Sequence, residues 1–230
     1  MRASPRFIKR KTTCAFTFSK IKTIISAMKL SNRFTLARAL FAPVFYLIFN
    51  VPLWLDSPVL KVVSACLMIP LLAVFELTDY WDGHYARKNN EVSDFGKLFD
   101  PFADVILNLT VFLCAVSSGY MPVVLFVLIF YREFSQNFLR MIALKKGIAI
   151  AARMGGKLKT VFYIITGFFF ITIESFVRFN FSFIPPHISS IIVSVFHYAT
   201  LILFVVCVLL SWGSFIDYIK SFYSVIKESD

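Results

Sequence analysis

Six largely apolar stretches divide the chain, at about 34–53, 59–80, 102–118, 121–144, 158–178 and 188–213. A helix needs ~20 such residues to cross the hydrocarbon of a bilayer, so the pattern predicts six transmembrane helices. The polar residues between them fall into two sets. Connections near 54–58, 118–121 and 179–187 are short and nearly free of cations. The other set is basic: residues 1–33 hold nine Lys/Arg and no acid, 81–101 hold Arg87, Lys88 and Lys97, and 145–159 hold Lys145, Lys146, Arg153, Lys157 and Lys159. Lys220 and Lys227 follow the last span. Basic loops alternate with uncharged ones as six spans require, which puts both termini in the cytoplasm and favours a bacterial inner membrane.

Ahead of the spans, Phe16 to Leu30 interleaves Phe16, Phe18, Ile21, Ile24, Ile25 and Met28 with Lys20, Lys22 and Lys29. That alternation predicts an amphipathic helix lying on an anionic membrane face. A transit peptide is the competing reading of so basic and acid-free a segment. The expected organisation is an all-α integral membrane protein in three parts. Residues 1–31 form the basic segment with its interfacial helix, 32–220 the six-helix domain and 221–230 a cytoplasmic tail.

Composition agrees. Apolar residues make up 58% of the 230, against the ~45–50% usual for soluble domains. The net charge of +11 is accounted for by the loop cations, so it does not point to nucleic acid. Cys14, Cys66, Cys114 and Cys207 stand far apart without metal-binding spacing and read as small buried apolar side chains. Asn108-Leu109-Thr110 has the form of a glycosylation sequon but lies at apolar depth.

Ionisable groups at membrane depth are costly, and one region concentrates them: ELTDYWDGHYARKNNEVSDFGKLFDPFAD, residues 76–104. Asp79 and Asp82 stand three apart at the end of the second span, and Asp100 and Asp104 four apart at the start of the third. Each spacing puts its pair on one helix face. Four converging carboxylates repel unless cations lie between them, and oxygen-only ligands suit Mg²⁺ or Mn²⁺. Two such ions would balance the four charges. Gly83, Ala86 and Gly96 leave room for close approach of a ligand, and Arg87 is placed to meet a phosphate.

The arrangement Asp79-x2-Asp82-Gly83-x2-Ala86-Arg87-x8-Gly96-x3-Asp100-x3-Asp104 resembles the signature of the CDP-alcohol phosphatidyltransferases at every fixed position. The resemblance implies six membrane helices, a homodimer and a two-metal site. It makes Asp79, Asp82 and Asp100 metal ligands, and Asp104 both a ligand and the general base on the acceptor hydroxyl. Gly83, Ala86 and Arg87, with Gly96, Asn32 and Thr35, would hold CDP-diacylglycerol. Paired cations can neutralise both the attacked and the leaving phosphoryl groups. An alcohol near neutral pH also needs a carboxylate to take its proton.

The resemblance narrows further. Asn32-x2-Thr35-x2-Arg38-x4-Pro43 looks like the opening of the phosphatidylglycerophosphate synthases. Tyr131-Arg132-Glu133-Phe134, Leu139-Arg140, Lys146 to Ala152, and Gly156-Lys157-Leu158-Lys159-Thr160 are similar to their later spans. Two positions depart from the pattern: Val105 follows Asp104 where Lys is usual, and Glu76 precedes Asp79 by one turn. Arg132, Gln136 and Arg140 form one polar stripe at i, i+4 and i+8. Arginines and a lysine inside a bundle call for an anion such as a phosphate, and the resemblance implies that Arg132, Arg140 and Lys157 meet the phosphate of glycerol 3-phosphate. The competing arrangement pairs Arg132 internally, with Glu133 or Glu76. Other alcohol acceptors, such as inositol phosphate, serine, choline or phosphatidylglycerol, are the nearest alternative function. An ion-coupled transporter is the alternative from another class, against which the lack of inverted repeats counts. Glu174, towards the uncharged side of the fifth span, reads as a snorkelling or helix-packing residue.

Overall fold

A computed structural model describes residues 30–88, 94–145, 154–179 and 185–229. The side chains of 30, 31, 79–88, 94, 95, 97, 186 and 224–229 are outside that description, as is the expected interfacial helix up to residue 29. The described residues form six helices: α1 (Leu30–Trp54), α2 (Pro58–Lys88), α3 (Asp94–Ser117), α4 (Val123–Lys145), α5 (Met154–Phe179) and α6 (Pro186–Ser229). Each covers one expected apolar stretch, and the architecture is that of an all-α integral membrane protein.

Five of the six are long and apolar enough to cross a membrane. The exception is α4, where any stretch of crossing length contains Arg132, Glu133 and Arg140. Arg132 and Glu133 pair with each other inside the bundle, so α4 packs there despite its charges. The last helix was expected to end near 213 and instead runs to Ser229. Ser211, Phe215 and Tyr218 all stay buried, so the inward-facing stripe carries the helix past Gly213.

The bundle is turned inside out relative to a soluble protein. Arg38, Arg132, Glu133, Lys159, Glu174 and Arg178 are buried, while Leu40, Val63, Val124 and Leu209 face outward. Such a surface belongs in lipid, and such an interior must satisfy its charges internally. The apolar core is aromatic: Phe41 stacks on Phe75 with centroids 3.7 Å apart, and Phe112 meets Tyr163 and Phe204 edge-on. Cys114 and Cys207 are buried, whereas Cys66 is exposed on the apolar outer face of α2, correcting its expected burial.

Tight turns fix the helix directions. Asp56, at φ 45°, takes the left-handed conformation between α1 and α2. Gly119, at φ 79°, ends α3: its amide donates to the Val116 carbonyl, and the Tyr120 amide to that of Ala115. This is a Schellman cap, which wants glycine because a Cβ is disfavoured there. With 1.5 Å of rise per residue, Asp79 lies about 32 Å along α2 from Pro58, a full bilayer thickness away. The acidic end of α2, the start of α1 and the start of α3 therefore share one end of the bundle.

Candidate active site

At that end α1 and α3 lie side by side and run in the same direction. Thr35 Oγ1 donates to Asp100 Oδ1 at 2.6 Å, and Arg38 Nη2 lies 2.9 Å from Asp104 Oδ1. A three-residue step on α1 thus matches a four-residue step on α3, as parallel neighbours with inward stripes allow. The Asp104 side chain is 34% exposed while that of Arg38 is 3% exposed. The aspartate is therefore held from the protein side and open on the other. Asn32 and Gly96 are buried at the same end.

Asp100 and Asp104 bring carboxylate oxygens to one face of α3, one turn apart, a donor set that suits a hard divalent cation. Asp79 and Asp82 lie on the last part of α2, which stays helical through Lys88. Their side chains, and those of Gly83, Ala86 and Arg87, lie outside the described residues. Among the described residues no three His, Cys, Asp or Glu side chains gather as metal ligands.

A second ionic cluster joins α4, α5 and α6. Glu133 Oε1 accepts from Arg132 Nη1 at 2.7 Å, from Lys159 Nζ at 2.7 Å and from the Tyr163 hydroxyl at 3.0 Å. Arg132 also donates through Nε to the Ser211 carbonyl at 2.8 Å and through Nη2 to Ser214 Oγ at 3.2 Å. Tyr163 Oη stands 2.8 Å from Ser211 Oγ. A phenol has one proton, so with that proton on Glu133 the serine hydroxyl donates in this second contact. The start of α5 lies against Ser214 of α6, whose Cβ would be in ordinary contact, 3.6 Å, with a Cβ at position 155.

Of the three expected phosphate ligands, the structure encloses Arg132 completely, leaves Arg140 half-buried and leaves Lys157 exposed. Residues two apart on a helix point about 200° apart. Lys159 faces Glu133, so Lys157 points the other way and is not brought to the cluster. Arg140 lies near enough to Lys159 and Tyr218 to act on both electrostatically. Along this stripe the Gln136 side-chain oxygen and the Tyr218 hydroxyl are buried without a hydrogen-bond partner.

Reading from sequence gave no role to Arg38, Lys159, Tyr163 or Ser211. The signal for Arg38 was available, in its three-residue spacing from Thr35 in a stretch facing the acids. Lys159 could not be separated from Lys157 by sequence alone. A third ionic group lies at the other end of α5. Arg178 donates through Nε to Glu174 Oε1 at 2.9 Å, and through Nη1 to Ser64 Oγ at 2.7 Å and the Phe49 carbonyl at 3.0 Å. Glu174 is thus a packing residue as expected, with Arg178 as its unforeseen counter-ion.

A helical bundle with an apolar outer surface, carboxylates at one end and buried ion pairs inside it defines an all-α integral membrane protein. The chain belongs to the CDP-alcohol phosphatidyltransferase family, whose model matches residues 28–212. Members of that family generally use divalent metal ions. Among curated relatives, a protein of Treponema pallidum (strain Nichols) named CDP-diacylglycerol–glycerol-3-phosphate 3-phosphatidyltransferase is 36% identical over 205 residues, 87% of this chain and 92% of its own length. The protein of that name from Bacillus subtilis (strain 168) is 36% identical over 139 residues, 57% of this chain and 70% of its own. A third so named, from Mycoplasma pneumoniae, is 34% identical over 152 residues, 66% of this chain and 64% of its own.

Proposed function

We propose that the protein transfers the phosphatidyl group of CDP-diacylglycerol to sn-glycerol 3-phosphate, releasing CMP and forming phosphatidylglycerol phosphate. The observation that carries this reading is the 36% identity to the Treponema pallidum enzyme along 92% of that protein's length. The acceptor is supported by the buried Arg132 and Lys159, with half-buried Arg140 beside them, since cations held inside a bundle favour an anionic substrate. A choline acceptor gives these cations no anion, and zwitterionic serine only a carboxylate balanced by its own ammonium.

In this mechanism Asp79, Asp82, Asp100 and Asp104 would hold two divalent ions, Mg²⁺ or Mn²⁺. Bound there, the ions supply charge neutralisation to the diphosphate and to the departing CMP. Gly83, Ala86, Arg87 and Gly96, with Asn32 and Thr35, seat the liponucleotide; Thr35 also steadies Asp100 through its hydroxyl. Asp104 takes the proton of the acceptor hydroxyl as that oxygen bonds to the phosphatidyl phosphorus and the bond to CMP breaks. Arg38, behind Asp104, fixes the carboxylate's direction. The acceptor phosphate is met from the side of half-buried Arg140, with the buried Arg132 and Lys159 behind it; Lys157, which points away from that cluster, meets the phosphate only from outside it. The enzyme works as a homodimer in a bacterial inner membrane, with the active-site end of the bundle in the cytoplasm.

The test is CMP release by purified protein in mixed micelles with CDP-diacylglycerol and Mg²⁺ or Mn²⁺, across glycerol 3-phosphate, inositol phosphate, serine, choline and phosphatidylglycerol. Release with glycerol 3-phosphate alone is expected. Release with another acceptor only would overturn the product. Asp104→Asn should lower kcat by about 10²–10⁴-fold, the range for losing a general base. Full turnover in that variant would remove Asp104 from the role.

A further inference from the structure

The carboxylate of Glu133 lies outside the aspartate motif, yet a single one of its oxygens is shared by three buried side chains. Its Oε1 takes hydrogen bonds from three groups on two helices: Arg132 on α4, and Lys159 and Tyr163 on α5. All three donors are buried, and so is Glu133, whose side chain is 3% exposed. A buried carboxylate would be satisfied by one well-placed guanidinium. Here two cations share one anion, in the described contacts, so the group as a whole stays positive. Positive charge also continues along the stripe to Arg140, within electrostatic reach of Lys159.

We infer that Glu133 is the positioning residue of the acceptor-phosphate subsite, fixing Arg132 and Lys159 in place while leaving the subsite its positive charge. This rests on the proposed reaction with glycerol 3-phosphate. Without Glu133, Lys159 has a flexible four-carbon stem and no fixed direction, and Arg132 keeps only its contacts to α6. Tyr163 completes the arrangement by linking Glu133 to Ser211, whose carbonyl holds the other edge of Arg132. The three helices are thereby tied in one register, and the cations cannot move independently of it.

The role separates from mere charge balance by a change that keeps the charge and moves it. Glu133→Asp draws the carboxylate back by one methylene, which breaks the three-donor geometry without altering net charge. KM for glycerol 3-phosphate should rise about tenfold, the effect of weakening charge-assisted hydrogen bonds. KM for CDP-diacylglycerol should stay within about twofold, since that substrate meets other residues. Tyr163→Phe removes a single hydroxyl and keeps the packing, so it serves if the aspartate variant does not fold. It should raise the same KM about threefold, with the same split.

Both variants are measured by CMP release, titrating each substrate against saturating levels of the other. Unchanged acceptor KM in both variants, or equal rises in the two KM values, would overturn the positioning role. A wild-type protein that releases no CMP with glycerol 3-phosphate would overturn the proposed reaction and this inference with it. That failure is distinguishable because it appears before any substitution.

Discussion

Helix α5 carries an ionic cluster at each end, and the two differ in how their charges are matched. Near its start, Lys159 joins Arg132 on the single carboxylate of Glu133. About 22 Å further along the helix, Glu174 faces Arg178 one for one. Arg178 also donates to neutral groups, the Ser64 hydroxyl and the Phe49 carbonyl, and lies 4.2 Å over the Phe49 ring, while its Nη2 finds no hydrogen-bond partner among the described residues. Both clusters solve the same problem, burying ionised side chains in a bundle surrounded by lipid. The matched pair is balanced in charge and fastens α5 to α1 and α2. The unmatched one joins two cations to one carboxylate near the start of α5, which is the excess of positive charge that the proposed acceptor phosphate would use.

The comparison can be broken by removing one member of the matched pair. Arg178→Met leaves Glu174 buried without a counter-ion and should cost about 3–5 kcal/mol, seen as a large fall in the thermal midpoint in detergent. The ratio of the two KM values should not move in the protein that stays folded. A rise in acceptor KM there, like that expected for Glu133→Asp, would erase the distinction between the clusters.

Removing both members sharpens it. In Glu174→Leu with Arg178→Met no charge is left stranded, and replaced buried pairs are often neutral or stabilising. The Phe49 carbonyl and Ser64 hydroxyl lose a donor, at about 1 kcal/mol each. The double variant should therefore melt well above the Arg178→Met single variant and close to wild type. A double variant no more stable than the single would mean that the pair contributes more than mutual neutralisation.

The smallest effect belongs to a third pair, outside the bundle. Lys61 holds the fully exposed Asp56 carboxyl below its ordinary range, by hydrogen bond and charge. Whatever stability this gives is present above the usual carboxylate range and lost as pH falls through the lowered value. Water and salt screen so exposed a pair. Lys61→Gln should change the midpoint at pH 7 barely at all, and 0.5 M salt should remove any difference. A clear loss that survives salt would show that exposure alone does not separate working ion pairs from idle ones.

Most of the helical frame was legible in the chain. Apolar stretches of membrane-crossing length give the helices, and their period locates the buried stripes of α1 and α4. The acidic motif gave the end of the bundle where chemistry belongs, because four aspartates at helical spacing are intelligible only around cations. Two things were not legible in the same way. The length of α6 beyond 213 depended on Phe215 and Tyr218 finding neighbours, which no local pattern states. Arg178 had no reading from the sequence, and only the folded bundle turns its four-residue spacing from Glu174 into a buried contact.

The sequence by itself determined the class of fold, the family and the carboxylate motif, since each is written in periodicity or in fixed local spacing. Only the tertiary structure decided that Arg38 stands behind Asp104, and that Lys159 rather than Lys157 reaches Glu133. It alone joined Ser211 to residues far away in the chain, with Arg132 79 positions and Tyr163 48 positions before it. The physical reason is that helix spacing fixes which residues share a face, whereas the partner of that face depends on how the helices pack. Two lysines separated by one residue are alike in sequence and lie on opposite sides of a helix.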